Sequence, residues 1–216
     1  MRMLEDTGLQ HHGHRSSYKL FFVESLKSFR RTASLVPSSR FLATALLNPI
    51  DFRRVQTVVE LGSGTGAVTS EILKRLSPQG RIYAFDVNPN FIRHLRFKHA
   101  ADERLVPILA SADDLHTALS SRGITAVDAI ISSLGLTSME PAKRSSIIHQ
   151  ATVCLAPHGI MTQYQYAHAR ANFVHLPGLN VYRFAEKLFL RRFFRIVESR
   201  NVLLNIPPAI VFTCRK

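Results

Sequence analysis

Between Val58 and Ala67 the chain reads Val58-Val59-Glu60-Leu61-Gly62-Ser63-Gly64-Thr65-Gly66-Ala67, an apolar run that opens into three glycines at alternate positions. Glycine lets the backbone turn tightly between a strand and a helix, and lets a ligand approach with no Cβ in the way. Twenty residues after Gly66 a second apolar run ends in Asp86, where a carboxylate can accept both hydrogen bonds of a ribose diol. The chemistry implied is nucleoside binding. Gly62, Gly64 and Ala67 also satisfy the loose G-x-G-x-x-A spacing of dinucleotide enzymes, so the spacing alone leaves the nucleoside open.

Such a loop works only if a strand delivers it and a helix receives it. From Gln56 onward short apolar runs alternate with helical segments, the pattern of a parallel sheet covered on both faces. The expected strands are Thr57–Leu61, Arg81–Asp86, Leu105–Leu109, Val127–Ser132 and Ile160–Tyr166. The expected helices are Ala67–Leu76, Pro89–Lys98, Asp113–Ser120 and Pro141–Leu155, with Gly80 and Gly159 at helix-to-strand handovers. Val202–Asn205, a turn at Pro207-Pro208 and Ala209–Thr213 read as an antiparallel pair at the sheet edge.

Upstream, residues 1–17 lack period and bulk and read as a flexible arm whose His11, His12 and His14 are solvated. Tyr18, Phe21, Phe22, Leu26 and Phe29 share one helical face, with Lys19, Lys27, Arg30 and Arg31 away from it, so a basic amphipathic helix is expected. After Pro37 a second helical run covers Phe41–Leu47. Residues 18–55 thus form a helical segment suited to a membrane surface and to a cofactor lid, ahead of a domain spanning 56–216. A second basic, aromatic helix is expected over Val181–Ile196, within an insertion at about 168–195.

The chain has 216 residues, 46% hydrophobic and 20% charged, which suits one globular domain with appendages and excludes disordered or low-complexity classes. Lys and Arg number 28 against 15 Asp and Glu, a net charge of +13. Residues 56–167 are almost neutral, with ten basic against nine acidic side chains. Residues 1–55 carry nine against four, and residues 168–216 nine against two. Basic ends around a neutral centre point to an anionic partner, lipid headgroups or nucleic-acid phosphates. Cys154 and Cys214 lie among apolar neighbours, so neither a disulfide framework nor a CxxC metal site is expected, and a cytoplasmic setting fits. No apolar stretch reaches the roughly 18 residues of a membrane span, and no signal peptide is expected.

Glu60, two residues before the first glycine, and the Gly-x-Gly-x-Gly loop turn the choice of nucleoside toward S-adenosylmethionine. The run Val58–Ala67 resembles motif I of class I methyltransferases, and Arg81–Asp86 with Val87-Asn88-Pro89 resembles the segment that follows it. The resemblance implies a Rossmann-like α/β fold, a mostly parallel seven-stranded sheet with an antiparallel last strand and helices on both faces. It places Glu60 by the amino-acid end of the cofactor, Gly62, Ser63, Gly64, Thr65 and Gly66 along its methionine portion, and Asp86 with Val87 at the ribose. Where the family usually has an acid after the third strand, this chain reads Ala110-Ser111-Ala112-Asp113-Asp114, leaving adenine recognition open between Ser111 and Asp113, around Ala112. Ser132, ending the fourth strand, and Ser38 and Ser39, after a hinge at Pro37, complete the expected cofactor contacts; a helix cap is the competing role for Ser39. S-adenosylhomocysteine would be the product.

Val36-Pro37-Ser38-Ser39-Arg40-Phe41-Leu42-Ala43, Ser133-Leu134-Gly135-Leu136-Thr137-Ser138-Met139, Gln163-Tyr164-Gln165-Tyr166 and Asn205-Ile206-Pro207-Pro208-Ala209 together resemble bacterial phospholipid N-methyltransferases, in the same order, from about Phe21 to the end. That resemblance implies methylation of an aminophospholipid such as phosphatidylethanolamine, or of a related aminolipid such as ornithine lipid. It also implies peripheral attachment to the cytoplasmic face of an anionic membrane, with no metal required. Tyr164 and Tyr166 are the candidate catalytic residues, able to orient an amine or hold a methylated cation over their rings, against the competing role of core packing. Lys27, Arg30, Arg31, Arg191, Arg192 and Arg195 are candidate phosphate contacts, against the competing role of a solvated helix face.

The rival within the fold is an RNA adenine N6-methyltransferase. Those enzymes carry Asn-x-Pro-aromatic after the fourth strand, where this chain has Ser132-Ser133-Leu134-Gly135-Leu136, with neither amide nor ring. A methyltransferase of small amines, and a cofactor-sensing membrane adaptor without turnover, are also compatible with the fold and the glycine loop.

Overall fold

The computed structural model describes residues 40–166 and 186–216. The expected amphipathic helix around Lys27, Arg30 and Arg31, the serines Ser38 and Ser39, and the first part of the expected 181–196 helix lie outside the described residues.

In chain order the elements are α1 (Arg40–Leu47), β1 (Thr57–Leu61), α2 (Ala67–Arg75), β2 (Arg81–Asp86), α3 (Pro89–Lys98), β3 (Leu105–Leu109), a 3-10 turn at Ala112–Asp114, α4 (Leu115–Ser120), β4 (Val127–Ser132), a second 3-10 turn at Leu136–Ser138, α5 (Pro141–Cys154), β5 (Leu155–Tyr166), α6 (Glu186–Leu190), β6 (Ile196–Val202) and β7 (Ala209–Arg215). Seven strands form one sheet in the order β3-β2-β1-β4-β5-β7-β6. β1 to β5 pair in parallel, whereas β7 runs antiparallel to both β5 and β6, so the last strand alone is reversed.

Local chemistry accounts for the boundaries. Asn88 caps α3 by accepting a hydrogen bond from the Asn90 amide at 2.9 Å, and Pro89 takes the first helical position, where a missing N–H costs nothing. The alternation of side chains along the strands then splits the core in two. Val58, Ile82, Ala129, Ile131 and Val211 face α1 and α2. Val59, Phe85, Ile130, Met161 and Phe212 face α4, α5 and α6. Helices therefore cover both faces, as the alternating pattern predicts.

The chain departs from expectation at its second basic segment. Within Val181–Ile196 the described residues are helical only over Glu186–Leu190; Ile196 opens β6 instead. The apolar spacing of Leu188, Phe189 and Ile196 fits a helix locally, but β7 offers seven consecutive partners, Ile196↔Arg215 through Val202↔Ala209. Cross-strand pairing, invisible to a local pattern, decides the outcome. β5 likewise begins at Leu155, because Val127 pairs with Leu155 before the register shifts to Ala129↔Ile160. The expected helix from Asp113 resolves into the Ala112–Asp114 turn followed by α4. No helix among the described residues is long and apolar enough to cross a membrane.

Candidate active site

Strand order reverses between β1 and β4, and the crevice beyond the carboxyl ends of such strands is where open α/β sheets bind ligands. The loop after β1 lies there. Its Gly62 and Ser63 amides donate to the Phe85 carbonyl at 2.9 and 3.0 Å, tying the loop to the end of β2. Gly62, Gly64 and Gly66 all have positive φ, 78°, 51° and 74°. A Cβ on Gly66 would lie 2.5 Å from Leu95 Cδ2, so a side chain here would displace the end of the buried Leu95 in addition to straining the positive φ, which is the stronger demand for glycine. A Cβ on Gly64 would meet nothing within 4 Å, which leaves open space over the middle of the loop.

Two carboxyls flank that space. Asp86 accepts from the Gly64 amide through Oδ2 and from the Asn88 amide through Oδ1, each at 2.8 Å. Burial raises its pKa, opposed by these amide bonds. Each oxygen keeps a lone pair for a diol. Glu60 is wholly buried; its Oε2 accepts from Thr69 Oγ1 at 2.6 Å, while Oε1 has no partner. Loss of water pushes its pKa up to about 8, with the nearby Asp86 charge adding to the rise. Ser63 is also buried with an unpartnered Oγ. An orphan carboxyl oxygen, an orphan hydroxyl and a Cβ-free loop together form a cradle that fits a nucleoside carrying an ammonium group. Thr65 is half-buried on the same loop, and Val87 is exposed just past Asp86.

Lys98 closes the far side of the loop. Its Nζ donates to Ser70 Oγ at 3.0 Å and to the Gly66 carbonyl at 3.4 Å. Burial lowers its pKa, and the charge of Glu60 opposes that shift.

Ser111 and Asp113 prove to be one unit. Ser111 Oγ donates to Asp113 Oδ2 at 3.1 Å and accepts from the Asp113 amide at 3.3 Å, capping the turn around buried Ala112. Lys143 Nζ stands 3.8 Å from Asp113 Oδ2. The turn is held against the site by the Ala110 amide, which donates to the Asp86 carbonyl. Ser132 is buried at the end of β4, level with Leu61 and Gln163, and its Oγ accepts weakly from the Leu134 amide at 3.4 Å. Leu134 reaches back toward the loop: a Cβ on Gly62 would lie 3.0 Å from its Cδ2.

Tyr164 and Tyr166 end β5 on the face covered by α1, their rings edge to face at 5.3 Å. Tyr164 is buried, and burial, with Tyr166 beside it, raises its pKa. Tyr166 is half-buried at the strand end. Arg191, Arg192 and Arg195 are exposed but precede the first residue of β6, at the edge of the sheet opposite the glycine loop. The structure does not bring them to the strand-end crevice.

Sequence reasoning missed the polar group on the other face. Gln163 donates through Nε2 to the carbonyls of Leu134 and Tyr164 at 2.8 and 2.7 Å. Neither polar atom of the Gln165 side chain has a partner, although the residue is buried. Neither carboxyl oxygen of buried Glu186 makes a hydrogen bond within 3.5 Å, yet the Gln163 amide and the Arg144 charge lie near enough to act on it. Burial dominates and pushes Glu186 up to about 8. Glutamines at alternate positions of an otherwise apolar strand, and a lone acid in a basic segment, are the signals that could have found this group. Among the described residues no cluster of three or more His, Cys, Asp or Glu could hold a metal.

A family model described as a methyltransferase domain matches residues 58–159, from β1 and the glycine loop into the first part of β5. The ornithine lipid N-methyltransferase of Singulisphaera acidiphila is 31% identical over 196 residues, covering 91% of this chain and 94% of that protein. The ribosomal RNA small subunit methyltransferase H of Halorhodospira halophila is 34% identical over 95 residues, but the match takes in only 44% of this chain and 29% of that protein. Among solved structures, the 1,6-didemethyltoxoflavin-N1-methyltransferase of Burkholderia thailandensis, with S-adenosylhomocysteine bound, aligns with a TM-score of 0.62 and 19% identity over 98% of this chain and 93% of that one. At that identity the likeness is one of fold.

Proposed function

This chain belongs to the class I S-adenosylmethionine-dependent methyltransferases, in the family of the Singulisphaera ornithine lipid N-methyltransferase, and on that premise we propose that it methylates the amine of a membrane aminolipid. Phosphatidylethanolamine and ornithine lipid are the two headgroups the reading favours. The observation that carries it is the end-to-end match to a lipid N-methyltransferase, 94% of that protein. The RNA methyltransferase match takes in less than half of this chain and less than a third of that protein. The loop Ser133-Leu134-Gly135-Leu136 supports the same choice, because it has no ring to stack a flipped base.

S-adenosylmethionine is the cofactor, and when bound it supplies an electrophilic methyl group on a sulfonium. The chain's own residues bind and align. Glu60 Oε1 and Ser63 Oγ, both lacking partners, are assigned to the amino-acid end, and Asp86 to the ribose diol. Gly62, Gly64 and Gly66 leave room for the chain between those ends. The Ser111–Asp113 turn, Ser132 and Val87 form the remaining wall.

A headgroup ammonium must lose a proton before its nitrogen can attack, and the proton leaves to water. Burial beside the apolar Leu134 and the Tyr164–Tyr166 rings disfavours the cation and so favours the reactive free amine. Tyr166, at the rim, orients that amine. Attachment is peripheral, on the cytoplasmic face, with Lys27, Arg30 and Arg31 at the anionic headgroups. Arg191, Arg192 and Arg195, at the opposite sheet edge, contribute attraction at a distance.

The test is the lipid composition of a bacterium that makes no methylated aminolipids, before and after expression of this chain. N-methylated forms of one aminolipid are expected, and the Glu60→Gln and Asp86→Asn variants should diminish them. An unchanged lipid extract alongside new methyl marks in ribosomal RNA would favour the RNA reading.

A further inference from the structure

The turn that joins β6 to β7, Leu203-Leu204-Asn205-Ile206-Pro207-Pro208, is built inside out. Leu203, Leu204 and Ile206 are 74%, 70% and 83% exposed, whereas the one polar side chain, Asn205, is 2% exposed. That amide donates to the Pro207 carbonyl, and the Asn205 N–H donates to the Val202 carbonyl, so both donors of Asn205 are turned inward to the hairpin. A surface turn in water normally shows the reverse arrangement.

Topology fixes where this tip points. β6 runs parallel to β1, β2, β4 and β5, because both it and β5 are antiparallel to the β7 between them. Its end therefore projects from the same edge of the sheet as the glycine loop, Asp86 and Tyr166. Tyr166, Ala209 and Val202 share one rung, so Leu203 and Leu204 lie one and two residues beyond the rung of Tyr166. At about 3.3 Å per residue the tip stands several ångströms past that rim.

Charge completes the pattern. No ionisable side chain occurs from Val202 to Thr213, and behind the tip the exposed Arg200 is the nearest charge on β6. Glu198, the next acid down the strand, is paired with Arg215 at 3.0 Å. An apolar tip backed by unopposed positive charge matches acyl chains beneath an anionic headgroup layer.

We propose that the β6–β7 turn is a membrane-inserting prong that sets Leu203, Leu204 and Ile206 below the headgroups of a bilayer and so holds the strand-end crevice at headgroup depth. The inference rests on the aminolipid reading above, for which it supplies the orientation. Insertion by one or two residues matches the roughly 5–10 Å to which interfacial elements bury their apolar faces.

The chain has no tryptophan, so Leu204→Trp introduces a single reporter at an exposed position. With vesicles of phosphatidylethanolamine and phosphatidylglycerol, its emission should shift to the blue and be quenched by brominated acyl chains. A triple variant, Leu203→Ser with Leu204→Ser and Ile206→Ser, should lose about a thousandfold or more in vesicle affinity, since withdrawing each of three aliphatic side chains from an apolar phase costs at least about tenfold. Its heat of binding to S-adenosylhomocysteine, and its turnover of a short-chain, detergent-dispersed aminolipid, should be unchanged. Emission that stays water-like while the chain sediments with the vesicles overturns the prong, as does a failure to sediment at all. A concentration-dependent dimer abolished by the triple variant overturns it in favour of a second copy. Insertion without methylation of any aminolipid keeps the prong and sinks the reading of function instead.

Discussion

Replacing Glu60 by glutamine isolates what a buried carboxyl contributes to the cradle. Its pKa of about 8 leaves it mostly neutral at pH 7 before a ligand arrives, so glutamine is close to an isostere and can still accept from Thr69 Oγ1. An incoming ammonium changes that balance. Opposite charges about 4 Å apart at an effective dielectric of about 20 attract by about 4 kcal/mol. Ionising the carboxyl one pH unit below its pKa takes back about 1.4 kcal/mol, leaving about 2.5 kcal/mol, or about 70-fold in affinity. At pH 6 the ionisation cost doubles and the difference shrinks to about tenfold. Titration calorimetry with S-adenosylhomocysteine in buffers of different ionisation enthalpy measures both quantities. The wild-type chain should release close to one proton on binding at pH 7, and Glu60→Gln none. Equal affinities for the two proteins, or a penalty that does not change between pH 6 and 7, would refute the assignment of Glu60 to the ligand's amine.

Four further outcomes follow from the same geometry. Gly66→Ala must place a Cβ 2.5 Å from Leu95 Cδ2 at a φ of 74°, so a loss of about 2–4 kcal/mol is expected in denaturant melts, against about 1 kcal/mol for Gly64→Ala, which meets open space. Glu186, raised to about 8 from 4.5, holds a proton in the folded state that the unfolded chain releases above pH 4.5. It therefore lowers stability as pH rises through that window, by up to about 5 kcal/mol. Glu186→Gln should melt higher than wild type at pH 8 and about equally at pH 4, with a residual slope from Glu60; a lower melt at pH 8 would contradict this. Tyr166→Phe should raise KM for the lipid with cofactor affinity unchanged, whereas Tyr164→Phe, deeper in the core, should show first as altered stability. Reversing Arg191, Arg192 and Arg195 to Glu should weaken vesicle binding at low salt far more than at 0.15 M, where the Debye length of about 8 Å is short beside a seven-residue strand of about 23 Å.

The strands β1 to β4 and the helix α3 are legible in the sequence because their signals are local. Apolar runs end at Asp86 and Ser132, Asn88-Pro89 opens a helix, and glycine supplies the φ that only it adopts freely. Glu60 and Asp86 can be singled out because one spacing places both against the same glycine loop. The antiparallel pair at the sheet edge, its turn at Pro207-Pro208 and the start of β7 at Ala209 are legible as well, but the first strand of the pair is Ile196–Val202 and not Val202–Asn205, because its register depends on β7, which has to come back from the chain end before Ile196 can choose a strand. The Gln163–Glu186–Arg144 group leaves only the alternating glutamines and the lone acid as local signals, because its members are contributed by β5, α6 and α5 and burial brings them together. The inverted polarity of the turn at Asn205 depends on which side chains point inward, which no periodicity in a six-residue loop can specify.

In the proposed reaction the transferred methyl group ends on the amine of a membrane lipid. The direct measurement supplies methyl-labelled S-adenosylmethionine to the full chain with phosphatidylethanolamine and ornithine lipid vesicles, ribosomal RNA and small amines in separate reactions, then extracts and identifies the labelled product. Label on the nitrogen of an extracted aminolipid is the predicted result. Label confined to RNA or to a water-soluble amine contradicts it.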